Sequence, residues 1–247
     1  MIEYVQLLFL GSSIGLLSGF FGIGGGTILV PALMFLGHAT KDAIGISVVQ
    51  MVFSSIYGSY LNRKNKTLDV KMGLILGSGG FLGGLISGFV VEYFADIILE
   101  TLFLSFAIFA LIRLFMKLPQ NKTQKEIASW KIFILGFVLG LLGMLIGVGG
   151  SILLVPILVG FLHVDMKRAI SSGLFFVVFS SLSGLISHTL GRGVDLRSGV
   201  IIGVASLVGV YVGIALKQKV EVSLQKRLLV FFYLLVVIYL SERIIYG

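Results

Sequence analysis

Charge is scarce in this chain: only 12% of its 247 residues are Asp, Glu, Lys or Arg, against about 25% in an ordinary soluble domain. So few charges cannot solvate a soluble globule of this length, which excludes an ordinary cytosolic enzyme, a disordered chain and a coiled coil. Cysteine is absent, so disulfides, thiolate metal sites and a cysteine nucleophile are excluded, and the redox compartment stays unread. Proline occurs three times, leaving long stretches free to be helical. Lys and Arg are missing from the first 37 residues, where Glu3 is the one charge. A secretory signal needs a basic n-region and a small-residue cleavage site, so this N-terminus reads as mature structure.

What the chain has instead is apolar surface, 57% hydrophobic residues, and 33 glycines. A helix crossing a bilayer needs about 20 apolar residues. Such runs fall at 3–21, 43–62, 70–91, 97–116, 131–146, 169–187, 198–216 and 226–246. Two shorter runs, 27–37 and 152–163, each follow a glycine cluster. At about 11–12 residues they are too short to cross alone and read as re-entrant half-helices. Pro31 and Pro156 are expected in their first turns, where a missing N–H costs least. The third proline, Pro119, sits in a polar linker. The expected division is a first transmembrane repeat over 1–116, a cytoplasmic linker over 117–130 and a second repeat over 131–247.

The halves repeat. Phe21-Gly22-Ile23-Gly24-Gly25-Gly26-Thr27-Ile28-Leu29-Val30-Pro31 aligns with Ile146-Gly147-Val148-Gly149-Gly150-Ser151-Ile152-Leu153-Leu154-Val155-Pro156 at an offset of 125. Gly11, Gly15 and His38 match Gly136, Gly140 and His163 at that offset. At an offset of 126, Phe53-Ser54-Ser55 matches Phe179-Ser180-Ser181, and Gly58, Asp69, Gly73 and Gly77 match Gly184, Asp195, Gly199 and Gly203.

Lys and Arg orient the halves. If each glycine-broken segment enters and leaves on one side, inside loops collect 14 basic residues and outside segments 4. If each broken segment crosses once, the split is 11 to 7. The excess of cytoplasmic Lys and Arg in membrane proteins favours the first arrangement. The expected fold is therefore all-α: a polytopic helical membrane protein of two inverted repeats, each with three full spans plus a re-entrant segment, both termini outside. The net charge of +8 is then a topology signal, not a nucleic-acid footprint.

Chemistry points to the glycine clusters. A Gly inside a helix costs about 1 kcal/mol against Ala, so Gly24-Gly25-Gly26 and Gly149-Gly150 followed by Ser151 should break it. Unwound backbone at membrane depth must be buried in protein or line a cavity. The half-helix that follows presents free N–H groups and a positive dipole end, which attract an anion. Two matching breaks in two repeats point to a transporter's binding site; the competing explanation is close helix packing. Packing does account for the Gly-x-x-x-Gly stripes Gly11/Gly15/Gly19, Gly80/Gly84/Gly88 and Gly209/Gly213. Neither cluster has Walker spacing or a following Gly-Lys-Ser/Thr.

Thr27, Ser47, Gln50 and Ser172 are candidates to complete hydrogen bonds to the anion. Ser47, Gln50 and Ser54 share one helical face. Gln50 stands alone among apolar residues, and its repeat partner is Phe176; substrate contact and an interhelical hydrogen bond are equally open to it. His38 and His163 are candidates for proton coupling or gating, because imidazole titrates near neutral pH; interfacial helix ends are the plainer alternative. Arg113 is expected to snorkel to the cytoplasmic interface, and His188 to be interfacial. No catalytic cluster, metal site or cofactor motif stands out.

At these clusters the sequence resembles the sulfite exporter TauE/SafE family of membrane permeases. The residues that carry the likeness are Gly19 to Pro31 and Gly140 to Pro156, with Met144 in place of Gly19 and Ser151 in place of Gly26. The resemblance implies a carrier of small sulfur oxyanions or organosulfonates in a bacterial or archaeal inner membrane. The expected partners are a small anionic substrate and membrane lipid, without nucleic acid; a homo-oligomer and coupling to protons or sodium stay open. The alternatives are an anion channel on the same scaffold and a non-transporting membrane assembly protein.

Overall fold

The computed structural model describes residues 2–115, 128–191 and 193–246. Most of the expected linker, with Lys117, Pro119, Lys122 and Lys125, lies outside them, as does Arg192. Among the described residues the chain is helical without strands: α1 Ile2–Phe21, α2 Gly26–Phe35, α3 Thr40–Lys64, α4 Val70–Val90, α5 Asp96–Phe115, α6 Ser129–Leu145, α7 Ser151–Gly160, α8 Met166–Gly191, α9 Leu196–Lys219 and α10 Val222–Tyr246. A 3-10 turn, Val91–Tyr93, follows α4. Six of these helices, α3, α4 (with its 3-10 turn), α5, α8, α9 and α10, are long and apolar enough to cross a membrane.

The molecule has its polarity reversed relative to a soluble globule. Phe9, Phe35, Phe231 and Ile238 are exposed, while Ser47, Gln50, Asn62, Ser180 and Lys217 have no exposed surface. A bilayer solvates such an exterior and leaves polar side chains to face the bundle interior. The chain is a multi-pass membrane protein.

The glycine stripes do the packing. α1 runs parallel to α9, with Gly11 against Ile202, Gly15 against Ser206 and Gly19 against Val210. α6 runs parallel to α4, with Gly136 on Leu76 and Gly140 on Gly80. Phe53 of α3 fills the space at Gly203 of α9, and its repeat partner Phe179 of α8 fills that at Gly77 of α4. Each of these contacts joins one half of the chain to the other. These pairings return when the halves are exchanged: α1 with α9 becomes α6 with α4, and α3 with α9 becomes α8 with α4.

Charges segregate to the ends. Lys217 of α9 bonds Asn62 of α3 and Ser171 of α8, and Lys167 reaches the Gln218 carbonyl; the basic segments 63–71, 163–168 and 217–227 thus share one end. At the other, Lys41 donates to the Glu92 carbonyl, Arg243 pairs with Glu100 at 3.1 Å, and His38 acts electrostatically on Asp195. Asp195 caps α9 by accepting from the Ser198 N–H; a hydrogen bond from the Ser198 side chain chiefly holds its carboxyl below the usual value, with the backbone bond adding to it. Its repeat partner Asp69 caps α4 in the same way, through the Met72 N–H.

The prolines depart from expectation. Pro31 and Pro156 occupy the sixth positions of α2 and α7, one turn deeper than the free first turn, so each removes a real i→i−4 bond. At α7 the carbonyl so released, on Ile152, accepts from the hydroxyl of fully buried Tyr233 at 3.2 Å. The equivalent position in α5 is Ala107.

Candidate functional site

Both glycine clusters are helix breaks. Three glycines in each have positive φ: Gly22, Gly24 and Gly25 in the first, Gly147, Gly149 and Gly150 in the second. Gly25 (φ 83°) and Gly150 (φ 75°) are the N-caps of α2 and α7, and neither cap has a side-chain hydrogen bond. The first N–H groups of both half-helices have no intrahelical acceptor, and the positive dipole ends lie at the breaks.

The opposite ends are held by cations that were not foreseen in this role. Arg243 of α10 donates to the Met34 carbonyl at the end of α2 at 3.4 Å. Arg113 of α5 donates to the Gly160 carbonyl at the end of α7, its guanidinium 4.5 Å from the Phe161 ring centroid. Arg113 is thus a helix-end ligand, because its long side chain reaches the carbonyls left bare where α7 stops.

The breaks meet in the centre of the bundle. Met51 and Val177, equivalent positions in α3 and α8, lie between them: each contacts Gly24 on one side and Gly149 on the other. A methyl group on Gly26 would overlap the carbonyl oxygen of Gly147. Ser47 ties the breaks together by donating to that carbonyl at 2.8 Å. Ser54 donates to the Gly24 carbonyl at 3.4 Å, and its partner Ser180 to the Gly149 carbonyl at 3.2 Å. The shared face of Ser47, Gln50 and Ser54 therefore looks onto the breaks.

Gln50 is the exception to this bonding. It has no exposed surface, its amide lies where a Cβ on Gly25 would be 2.5 Å from Oε1, and neither amide atom has a hydrogen-bond partner among the described residues. Such a group costs about 1–3 kcal/mol if left unpaired. At the second break Phe176 takes its place, with a ring carbon 3.0 Å from the position of a Cβ on Gly150.

The structure thus gathers Gly24, Gly25, Gly26, Ser47, Gln50, Gly149 and Gly150. Ser151 is buried beside them, its hydroxyl directed at the Val148 carbonyl. Ser172 is buried with an unpartnered hydroxyl, next to Gly173, which backs onto the Gly22 carbonyl. Thr27 turns its hydroxyl back to the Ile23 carbonyl and borders an apolar groove with Phe35 and Phe232. His38 and His163 stand beyond the far ends of the ten-residue half-helices, roughly 15 Å from the breaks by helix rise. His38 is exposed; the ring nitrogens of His163 are buried without partners among the described residues, at a residue with φ 57°.

His188 corrects its expectation. It is buried, with Nε2 3.3 Å from the Met144 carbonyl just before the second break. Hydropathy placed it at a span end, but α8 is 26 residues long and carries the ring inside. Lys217, counted as a loop charge, is likewise buried.

Among the described residues no group of His, Asp and Glu could hold a metal. The family model for the sulfite exporter TauE/SafE matches residues 7–240. "Probable membrane transporter protein YunE" of Bacillus subtilis is 29% identical, covering 99% of this chain and 98% of its own length. A "Probable membrane transporter protein" of Methanocaldococcus jannaschii is 28% identical, covering 87% of this chain and 86% of its own. No solved structure matches significantly. The names describe membrane transporters rather than enzymes. With a match over nearly its whole length, a bundle made to be solvated by lipid and two matched helix breaks, this multi-pass membrane transporter belongs to the sulfite exporter TauE/SafE family.

Proposed function

We propose that the protein is a secondary carrier that exports small sulfur-containing oxyanions, sulfite or organosulfonates, across the cytoplasmic membrane, holding them at the paired half-helix N-termini. The observation that carries this reading is Gln50: a fully buried amide without a partner, directed at the N-cap of a half-helix. An oxyanion there would accept from the amide and from the first N–H groups of α2, with the helix dipole adding to its attraction. Ser47 is engaged with Gly147 and would serve by keeping the second dipole close.

The halves are read as inverted repeats. Basic segments share one end while Glu92, Glu100 and Asp195 share the other. Parallel packing of α1 on α9 and α6 on α4 carries the two broken segments inward from opposite ends. Alternating access would follow from rocking one repeat against the other. Helices α3 and α8, touching both breaks through Met51 and Val177, are the hinge surface. His38 and His163 are the proposed points of proton coupling.

Counterflow in proteoliposomes with sulfite, sulfate, sulfoacetate, taurine and simple carboxylates tests the reading. Saturable exchange of a sulfur oxyanion is the expected result. Channel-like conductance in planar bilayers, or no flux of any of these solutes, would overturn it.

A further inference from the structure

Lys217 has no exposed surface, and its two hydrogen-bond partners are neutral: Asn62 Oδ1 at 2.7 Å and Ser171 Oγ at 3.1 Å. Among the described residues no carboxylate pairs with it. A second cation, Lys167, reaches the neighbouring residue, its ammonium donating to the Gln218 carbonyl. A buried charge without a counter-charge is costly, so this one requires another explanation than packing.

The donors and acceptors do not balance. Ser171 accepts from Lys217, and its own proton goes to the Lys167 carbonyl or to Thr67 Oγ1, both at 2.9 Å. The Thr67 hydroxyl goes to Asn62, at 3.2 Å to its carbonyl. The two acceptors that Lys217 reaches, Asn62 Oδ1 and Ser171 Oγ, are therefore already engaged. An ammonium has three N–H donors and a primary amide two. Lys217 uses two of its three, and Asn62 Nδ2, fully buried, uses neither of its own. What is left is one N–H of Lys217, two of Asn62 and one positive charge, all in one place. The complementary ligand is a small anion rich in acceptors.

The position connects to the first break. Ser171 follows Ile170, which packs against Gly22, and Gly173 touches the Gly22 carbonyl. The cluster thus lies between the basic end of the bundle and the turn that leads to Gly25. The repeat-related position has no such cluster: the residues equivalent to Lys217, Asn62 and Ser171 are Val91, His188 and Gly45.

We propose that Lys217 and Asn62 form a second anion-binding site, separate from the helix breaks, that stages a small oxyanion at the basic end before it reaches the first break. The transport part of this proposal rests on the carrier reading above; the binding part does not.

The test is saturable binding of [35S]sulfite and [35S]sulfate to purified protein in detergent, beside counterflow with the same anions. Lys217→Met should weaken binding of one or both anions about tenfold, the equivalent of one lost charge-assisted hydrogen bond. Lys217→Arg should retain most of it, and Gln50→Leu should leave this site intact. The Met side chain removes a buried charge and keeps the volume, so an unchanged or raised melting temperature certifies the fold. Wild-type affinity in Lys217→Met, or no saturable binding of either anion by the wild type, overturns the site. Binding that depends on Lys217 without flux by the wild type leaves the site standing and defeats the carrier reading instead.

Discussion

The two helix breaks share a backbone and differ in what faces it. In both, positive-φ glycines lead into a ten-residue half-helix whose far end is held by an arginine from the other half of the chain. At the first break the facing residue is Gln50, polar and unpartnered; at the second it is Phe176, a buried ring packed against Gly150 and Gly80. The first therefore has hydrogen-bonding capacity to offer, while the second supplies mainly its dipole and the Gly147 carbonyl that fastens it to Ser47. Matching backbones give two converging positive helix ends, and the side chains that face them differ, so the proposed recognition rests on the first alone.

Glycine replacement should break this comparison most severely. Gly25→Ala places its methyl against the movable Gln50 amide, whereas Gly150→Ala drives it into the backbone carbonyl of Leu139; both also strain a positive φ. Gly25→Ala should abolish counterflow yet purify as a folded protein. Gly150→Ala should lose stability by about 1–3 kcal/mol or more, the usual cost of overpacking, seen as a lower melting temperature or failed expression. Wild-type flux in a folded Gly25→Ala protein would remove the first break from the binding site.

Next in size is the facing pair itself. Gln50→Leu should cut flux about tenfold or more while leaving the melting temperature unchanged or higher, since an unpaired amide is removed. Phe176→Ala should lower stability by about 3–5 kcal/mol, as for other large buried rings. A Phe176→Ala protein that loses flux without losing stability would make the breaks functionally alike.

A smaller effect is expected at Tyr233, which serves only the second half. Tyr233→Phe leaves the Ile152 carbonyl without its donor and should cost about 1–3 kcal/mol. In thermal unfolding, a neutral result would mean that α7 tolerates its proline as α2 does, without a hydroxyl. The smallest effect falls on a matched pair: Asp69→Ala and Asp195→Ala should each cost about 1 kcal/mol through the lost cap, and equally. The His38→Gln/His163→Gln double mutant addresses coupling, and its flux should lose dependence on an imposed pH gradient.

Much of the fold was legible because the bilayer imposes length and composition on each span. The eight spanning-length runs and both half-helices appear within four residues of their expected limits, and the small-residue stripes pack helices as their spacing implied. The helix breaks of the candidate site were legible at the backbone level, since few residues other than glycine tolerate such a turn. The helical period also placed Ser47, Gln50 and Ser54 together. Hidden were the groups whose roles depend on distant partners. Arg113 read as an interfacial charge, His188 as a span end and Lys217 as a loop cation, because hydropathy averages over a window and cannot register one side chain turned inward.

The sequence by itself determined an all-helical membrane chain, a twofold repeat and two breaks, because these follow from local propensity and the thickness of the apolar phase. Only the tertiary structure decided that the breaks meet across Met51 and Val177, that one faces an amide and the other a ring, and that a lysine is enclosed without a counter-charge among the described residues. Those facts depend on helices more than a hundred residues apart packing through their glycines, and no local pattern encodes which side chains such packing brings together.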